Sequence, residues 1–317
     1  MDTWARSEGW GDLTPAQRGL VPTFFVIGAM KAGTTSLWRL LGHHPEVFMS
    51  PVKEPGYFAA SAGALDGILP GRASTSVRRL EDYLALFSGV SDERAIGEAS
   101  PVYLYLPWAL ERIRAVVERP RLVAILRNPA DRAFSHYVWA RATGDHRAPT
   151  FADAVSAELE GPGAGGLAAG GLGIVGPGFY GRHVAALLER FDPSQLHVVL
   201  QEDLAADPVA TLGSIFTFLD VDPTAAVGDR TRFNERRPVV RSRALARFTA
   251  GRSRAGRGMR RLVPAPVARR LAAGLDRWNE VVLEHPAEVR RRLLELYEPD
   301  IALLGRLTGR DLSVWSA

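Results

Sequence analysis

Residues 23–41 read TFFVIGAMKAGTTSLWRLL, an apolar run joined to an amphipathic one through a loop of glycine and hydroxyl residues. The first part, 23–28, is short, apolar and closed by Gly28, the pattern of a buried strand. The second part, 34–41, carries leucines and a tryptophan at helical spacing and stops at Gly42, as a helix does. A strand that passes to a helix through such a loop makes an anion site, because the backbone N–H groups point inward and the helix dipole favours negative charge. Gly28 and Gly33 stand where a nucleotide P-loop has its two glycines, but the lysine does not fit that pattern. A Walker loop places lysine directly after the second glycine. Here Thr34 holds that place and the lysine is Lys31, over the loop. A lysine there meets one phosphate and the group attached to it, which suits an anionic diester or a mixed anhydride better than a triphosphate with Mg²⁺.

Working outward, the same alternation continues. Residues 121–126 (RLVAIL) and 196–200 (LHVVL) read as further buried strands, and 47–49 as a short one. Helices are expected over 129–142, opened by Pro129 at the position where proline is tolerated, and over 179–191, 209–219 and 286–307. Strands alternating with helices imply a parallel sheet covered on both faces. The expected fold is therefore α/β, a P-loop-like three-layer α/β/α arrangement around a central parallel sheet. The 317 residues are read as one domain, with an N-terminal extension over 1–22. Residues 161–178 hold nine glycines in 18 positions and are expected to form a flexible loop.

Composition removes several chemistries. Cysteine is absent, which excludes disulfides, a thiolate nucleophile and zinc-thiolate or iron–sulfur sites. No apolar window is long enough for a transmembrane helix, and residues 1–20 lack the apolar core of a secretory signal. A cytoplasmic location is the resulting expectation. The net charge of +4 hides an asymmetry: residues 230–270 carry 14 arginines and one acid, or +13, against −9 for the remainder. Such a segment suits a polyanionic ligand or partner, or a solvated helical face. Of 39 basic residues only Lys31 and Lys53 are lysines, 22 positions apart.

Lys53 adjoins Glu54 and Pro55 after the short strand 47–49. A carboxylate in such a place can take a proton from an attacking hydroxyl. A lysine ammonium, compact and rotatable, suits a migrating anionic group better than the rigid fork of arginine. Further on, Arg127-Asn128-Pro129-Ala130-Asp131-Arg132-Ala133-Phe134-Ser135 follows the strand 121–126. An arginine at a strand's carboxyl end beside a helix start can bind phosphate bidentately, and Ser135, two turns on, can add a neutral donor.

Together these segments resemble the sulfotransferases that use 3′-phosphoadenosine 5′-phosphosulfate (PAPS), in their carbohydrate, heparan-like branch and its bacterial relatives. The run FVIGAMKAGTTSLWRLLGHHPEVFMSPVKEPGYF over 25–58 carries most of the likeness. The resemblance implies that Lys31 meets the 5′-phosphate and bridging oxygen, with Ala32, Gly33, Thr34, Thr35 and Ser36 around it. It implies that Glu54 is the general base, and that Lys53 supports the sulfuryl group or pairs with a neighbouring acid. Arg127 and Ser135 are carried onto the 3′-phosphate. Gly97-Glu98-Ala99-Ser100-Pro101-Val102-Tyr103 resembles a segment on the acceptor side, making Ser100 and Tyr103 candidate acceptor contacts, although Ala99 stands where heparan-type members have lysine. Tyr180 is a candidate adenosine contact, and Arg236 with Arg237 match the basic loop over the cofactor. The implied reaction moves a sulfuryl group in line from PAPS to a hydroxyl of a carbohydrate, glycolipid or secondary metabolite, releases adenosine 3′,5′-bisphosphate (PAP) and needs no metal. No nucleic-acid partner is expected. A P-loop kinase or NTPase, and a non-enzymatic nucleic-acid binder, are the alternative readings. Arg132 is expected to pair along its helix.

Overall fold

The computed structural model describes residues 3–60, 77–160, 173–225, 239–240, 275, 280–281, 283 and 285–316. Five strands form one parallel sheet: β1 (Phe24–Gly28), β2 (Val47–Met49), β3 (Ala95–Ala99), β4 (Arg121–Leu126) and β5 (Leu196–Leu200). Their order is β2-β3-β1-β4-β5, and β6 (Val239–Val240) pairs antiparallel with β7 (Glu280–Val281) in a separate ladder. Among the described residues the helices are α1 (Thr3–Ser7), α2 (Pro15–Arg18), α3 (Thr34–Leu41), α4 (Leu80–Ala85), α5 (Pro107–Val116), α6 (Pro129–Thr143), α7 (Phe151–Glu160), α8 (Tyr180–Leu188), α9 (Gln201–Ala206), α10 (Pro208–Leu219) and α11 (Ala287–Thr308).

The strands are apolar throughout because both faces of the sheet are covered. Successive side chains alternate across a strand, so Phe25 and Ile27 of β1 enter one core and Phe24 and Val26 the other. The first core holds Ala109, Leu110 and Ile113 of α5 with Tyr180, Val184 and Leu187 of α8. The second holds Leu37, Leu40 and Leu41 of α3 with Leu212, Ile215 and Phe216 of α10.

The strand order places the site. From β1 the chain crosses through α3 to the edge strand β2, returns to β3, and only then passes to β4 on the other side of β1. The loops after β1 and β4 therefore leave the carboxyl edge in opposite directions. Open α/β sheets bind ligands in the crevice at such a switch point. The Ala29 N–H donates to the Ile125 carbonyl at 2.6 Å and ties the loop after β1 to the end of β4 there.

The three longer expected strands, the short one at 47–49 and helix 34–41 are all present at nearly the expected bounds. β3 was not expected, because Gly97 and Glu98 break its apolar run. Gly97 is required by packing: a Cβ there would lie 2.2 Å from the Phe24 ring. The N-terminal segment packs onto the body of the fold. Trp4 and Trp10 lie within 6.1 Å of the rings of Tyr57 and Phe58, and the Trp10 indole N–H donates to the Tyr57 hydroxyl at 3.2 Å.

The glycine-rich expectation needs correction over 173–178. Glu158 of α7 accepts the amides of Ile174, Val175 and Gly176 at 2.7–3.0 Å, and Ile174 and Val175 are buried in an apolar cluster with Phe134, Phe151 and Phe179, so a carboxylate and a core together hold this part. Residues 161–172, and nearly all of 230–270 with Arg236 and Arg237, lie outside the described residues.

Candidate active site

The loop between β1 and α3 runs over residues 29–33. Lys31 (φ +68°) and Gly33 (φ +99°) are both left-handed, which turns the backbone of this short loop sharply. Gly28 admits no side chain, because a Cβ would meet Leu104 at 2.6 Å. Gly33 stands at the N-cap of α3 and offers no side-chain acceptor, so the amides of Thr34, Thr35 and Ser36 face the crevice without a capping side chain. From below, the buried Tyr105 hydroxyl accepts the Met30 amide at 3.1 Å. The Lys31 ammonium lies 5.5 Å from the centre of the Trp139 ring, a cation–π distance. Trp139 is four residues after Ser135 on α6, hence on the same helix face. The loop after β1 and helix α6, more than 100 positions apart in the chain at Lys31 and Ser135, thus meet through Trp139.

The loop after β4 forms its other wall. The Asn128 side chain caps α6 by accepting the amides of Ala130 (3.0 Å) and Asp131 (3.2 Å). Its amide group donates to the Trp315 carbonyl at 3.1 Å, and the Asn128 N–H donates to Glu202 at 2.9 Å. Arg127 and Ser135 are half-buried on either side of this cap. Tyr180 is not placed as an adenosine contact: it is fully buried, and its hydroxyl donates to the Arg127 carbonyl at 3.0 Å. Burial also holds that phenol well above its usual pKa. Arg132 does not pair along its helix. It is fully buried and donates to the Ile174 carbonyl.

The loop after β2 carries the two acid–base candidates. Lys53 and Glu54 form an ion pair, with side chains 15 % and 25 % exposed. Glu54 is left-handed (φ +62°), and its N–H donates to the Ala99 carbonyl at 2.9 Å. Ser100 and Tyr103, expected to face an acceptor, are buried instead and donate to Glu98 at 2.6 and 2.8 Å. Tyr83 donates to the same carboxylate at 2.9 Å. Burial pushes the Glu98 pKa up to about 7, while the three hydroxyl donors pull it down.

The uncapped amides and Lys31 of the loop after β1, and Arg127 and Ser135 at the start of α6, thus lie on the loops at the switch point, with Glu54 and Lys53 on the loop after β2. Such a donor set fits a ligand with two phosphate groups: one for the α3 terminus and lysine, one for the strand-end arginine. Among the described residues no group of three His, Asp or Glu side chains could hold a metal ion, and no helix is long and apolar enough to cross a membrane. Sequence reasoning missed Trp139, Asn128, Tyr105 and Glu98. Trp139 left a signal in its four-residue spacing from Ser135, and Asn128 another in the proline that follows it.

A sulfotransferase domain model matches residues 22–243. The chain is 30 % identical over 231 residues to the human bifunctional heparan sulfate N-deacetylase/N-sulfotransferase 2, covering 68 % of this chain and 24 % of that protein. A membrane-associated sulfotransferase, kil1, of Dictyostelium discoideum is 32 % identical over 117 residues, 37 % of this chain and 22 % of its own length. The chain thus spans about a quarter of the length of these curated relatives. The crystal structure of a sulfotransferase from Alicyclobacillus acidocaldarius superposes with a TM-score of 0.66 at 26 % identity, covering 94 % of this chain and 99 % of that one.

Proposed function

The chain belongs to the sulfotransferase domain family, and from that premise we propose that it transfers a sulfuryl group from PAPS to a hydroxyl of a small molecule or glycan. One observation carries the reading: the uncapped α3 terminus with Lys31 over the loop and Thr34 in the place of a Walker lysine. That arrangement suits a phosphosulfate and argues against the NTPase alternative. PAPS, when bound, supplies a sulfuryl group activated on a phosphate leaving group.

The chain's own residues then divide the work. The amides of Thr34, Thr35 and Ser36 hold the 5′-phosphate, and Lys31 neutralises charge growing on the leaving oxygen. Arg127 and Ser135 hold the 3′-phosphate, with Arg127 steadied by Tyr180 through its carbonyl. Glu54 takes the acceptor proton late in the transfer, since an alcohol is too weak an acid to ionise first. Lys53, ion-paired with Glu54, orients that carboxylate. Burial of Ser100 and Tyr103 leaves acceptor recognition to other side chains.

Transfer to oxygen is the finer assignment, and the relatives named for N-sulfotransfer make a saccharide amine the competing acceptor. The test is a screen of hydroxyl and amine acceptors with labelled PAPS, followed by mass-spectrometric location of the sulfate. Sulfate esters are expected. Sulfamates alone would overturn the oxygen assignment, and no labelled product from any acceptor class would overturn sulfuryl transfer.

A further inference from the structure

We propose that Glu98 is the positioning residue for the loop 53–58, its buried carboxylate fixing through Ser100 and Tyr103 the backbone that carries Glu54. The inference rests on the reading of Glu54 as the base, and its geometry is independent of that reading.

Glu98 is the penultimate residue of β3, level with Phe25 of β1, and is 0 % exposed. It accepts hydrogen bonds from Ser100 (2.6 Å), Tyr103 (2.8 Å) and Tyr83 (2.9 Å). Above about pH 7 the Glu98 carboxylate is ionised and only accepts, so each hydroxyl spends its single proton on it. The lone pairs left on two of those hydroxyls then receive backbone amides from the loop. Ser100 accepts the Gly56 N–H at 3.1 Å, and Tyr103 accepts the Phe58 N–H at 3.3 Å. The carbonyl next to Glu98, that of Ala99, accepts the Glu54 N–H at 2.9 Å. Alternate amides of the loop, at 54, 56 and 58, are thereby held by three neighbours on one strand end.

The loop needs such holding. Glu54 and Gly56 are both left-handed, at φ +62° and +66°. For a residue with a side chain this conformation is unfavourable and persists only where surroundings fix it. The relay is also directional. Replacing Glu98 with glutamine keeps the volume but turns one oxygen into an N–H₂ donor. If that donor faces Ser100, the serine oxygen must accept two N–H groups and its own proton loses its acceptor; facing the tyrosines is no better. The isosteric change therefore unseats the loop rather than emptying the core.

The experiment compares wild type, E98Q, the double variant Ser100→Ala/Tyr103→Phe and E54Q. It reads PAPS-driven turnover, PAP affinity by calorimetry, and hydrogen exchange of the loop amides by mass spectrometry. E98Q is expected to lose at least about tenfold in kcat, the loss of one modest hydrogen-bonding contribution, with PAP affinity unchanged and exchange of 54–58 accelerated. The double variant should do the same, and adding E98Q to it should cost little more. Unchanged exchange in E98Q, or in the double variant where E98Q fails to fold, overturns the proposal. So does a parallel fall in PAP affinity and kcat, or additive losses in the combined variant. Wild-type turnover in E54Q alongside accelerated exchange in E98Q would refute the base and leave the positioning of the loop standing.

Discussion

Asn128→Ala separates the two halves of the anion site. The Asn128 side chain makes three hydrogen bonds: it accepts the Ala130 and Asp131 amides and donates to the Trp315 carbonyl. Losing an N-cap costs about 1 kcal/mol. Leaving the buried Trp315 carbonyl without its donor costs about 1 kcal/mol more, so chemical denaturation should show a loss of about 2 kcal/mol. The effect on binding follows from position. Arg127 precedes the cap by one residue and Ser135 lies two turns beyond it, while the α3 loop has its own supports in Tyr105 and Ile125. A loosened start of α6 should therefore weaken the grip on a 3′-phosphate and spare the 5′ end. The assay is titration with PAP and with adenosine 5′-monophosphate, the ratio of their dissociation constants isolating the 3′-phosphate. A charge-assisted phosphate contact is worth about 1.5–3 kcal/mol. Losing half of it raises the dissociation constant of PAP relative to that of the monophosphate by roughly 4- to 13-fold while monophosphate binding hardly moves. Equal weakening of both ligands, or of neither, would refute the assignment of Arg127 and Ser135 to the 3′-phosphate.

Three further outcomes are expected. Lys31→Ala should lower kcat by about 10²–10³, the usual effect of removing one group that stabilises developing negative charge; turnover near wild type in the labelled PAPS assay would contradict the role. Tyr180→Phe should cost about 1 kcal/mol and weaken PAP more than the monophosphate, because the hydroxyl steadies Arg127 rather than adenosine. Glu98 ionises near 4.5 in the unfolded chain and near 7 in the fold. Across that window the unfolded chain has released the proton while the native chain still holds it, so native stability falls as pH rises. Wild type should therefore lose about 3 kcal/mol relative to E98Q between pH 4.5 and 7, measured by urea unfolding, and a constant difference would contradict the buried placement.

The sheet and the first loop were legible because their signals are local. FFVIG ends at a glycine that admits no side chain, and the left-handed Lys31 and Gly33 follow within five residues. β3 was illegible because its glycine answers to the Phe24 ring, more than 70 residues away, and its glutamate to three hydroxyls. The motif around Ser100 and Tyr103 was recognised, but nothing in it tells a hydroxyl that faces a ligand from one that faces a buried carboxylate. The same holds for Tyr180, whose partner carbonyl lies 53 positions upstream. The cap at Asn128 could be read from the proline after it. Its tie to Trp315, 187 positions on, could not.

Calorimetric titration with PAP in the presence of EDTA, set beside ATP with Mg²⁺, tests the central claim most directly. The uncapped α3 terminus, Lys31, Arg127 and Ser135 should bind PAP without a divalent ion and at least about a hundredfold more tightly than ATP, since the 3′-phosphate adds a charge-assisted contact. Tight binding of ATP that requires Mg²⁺, with no measurable heat from PAP, would contradict the account.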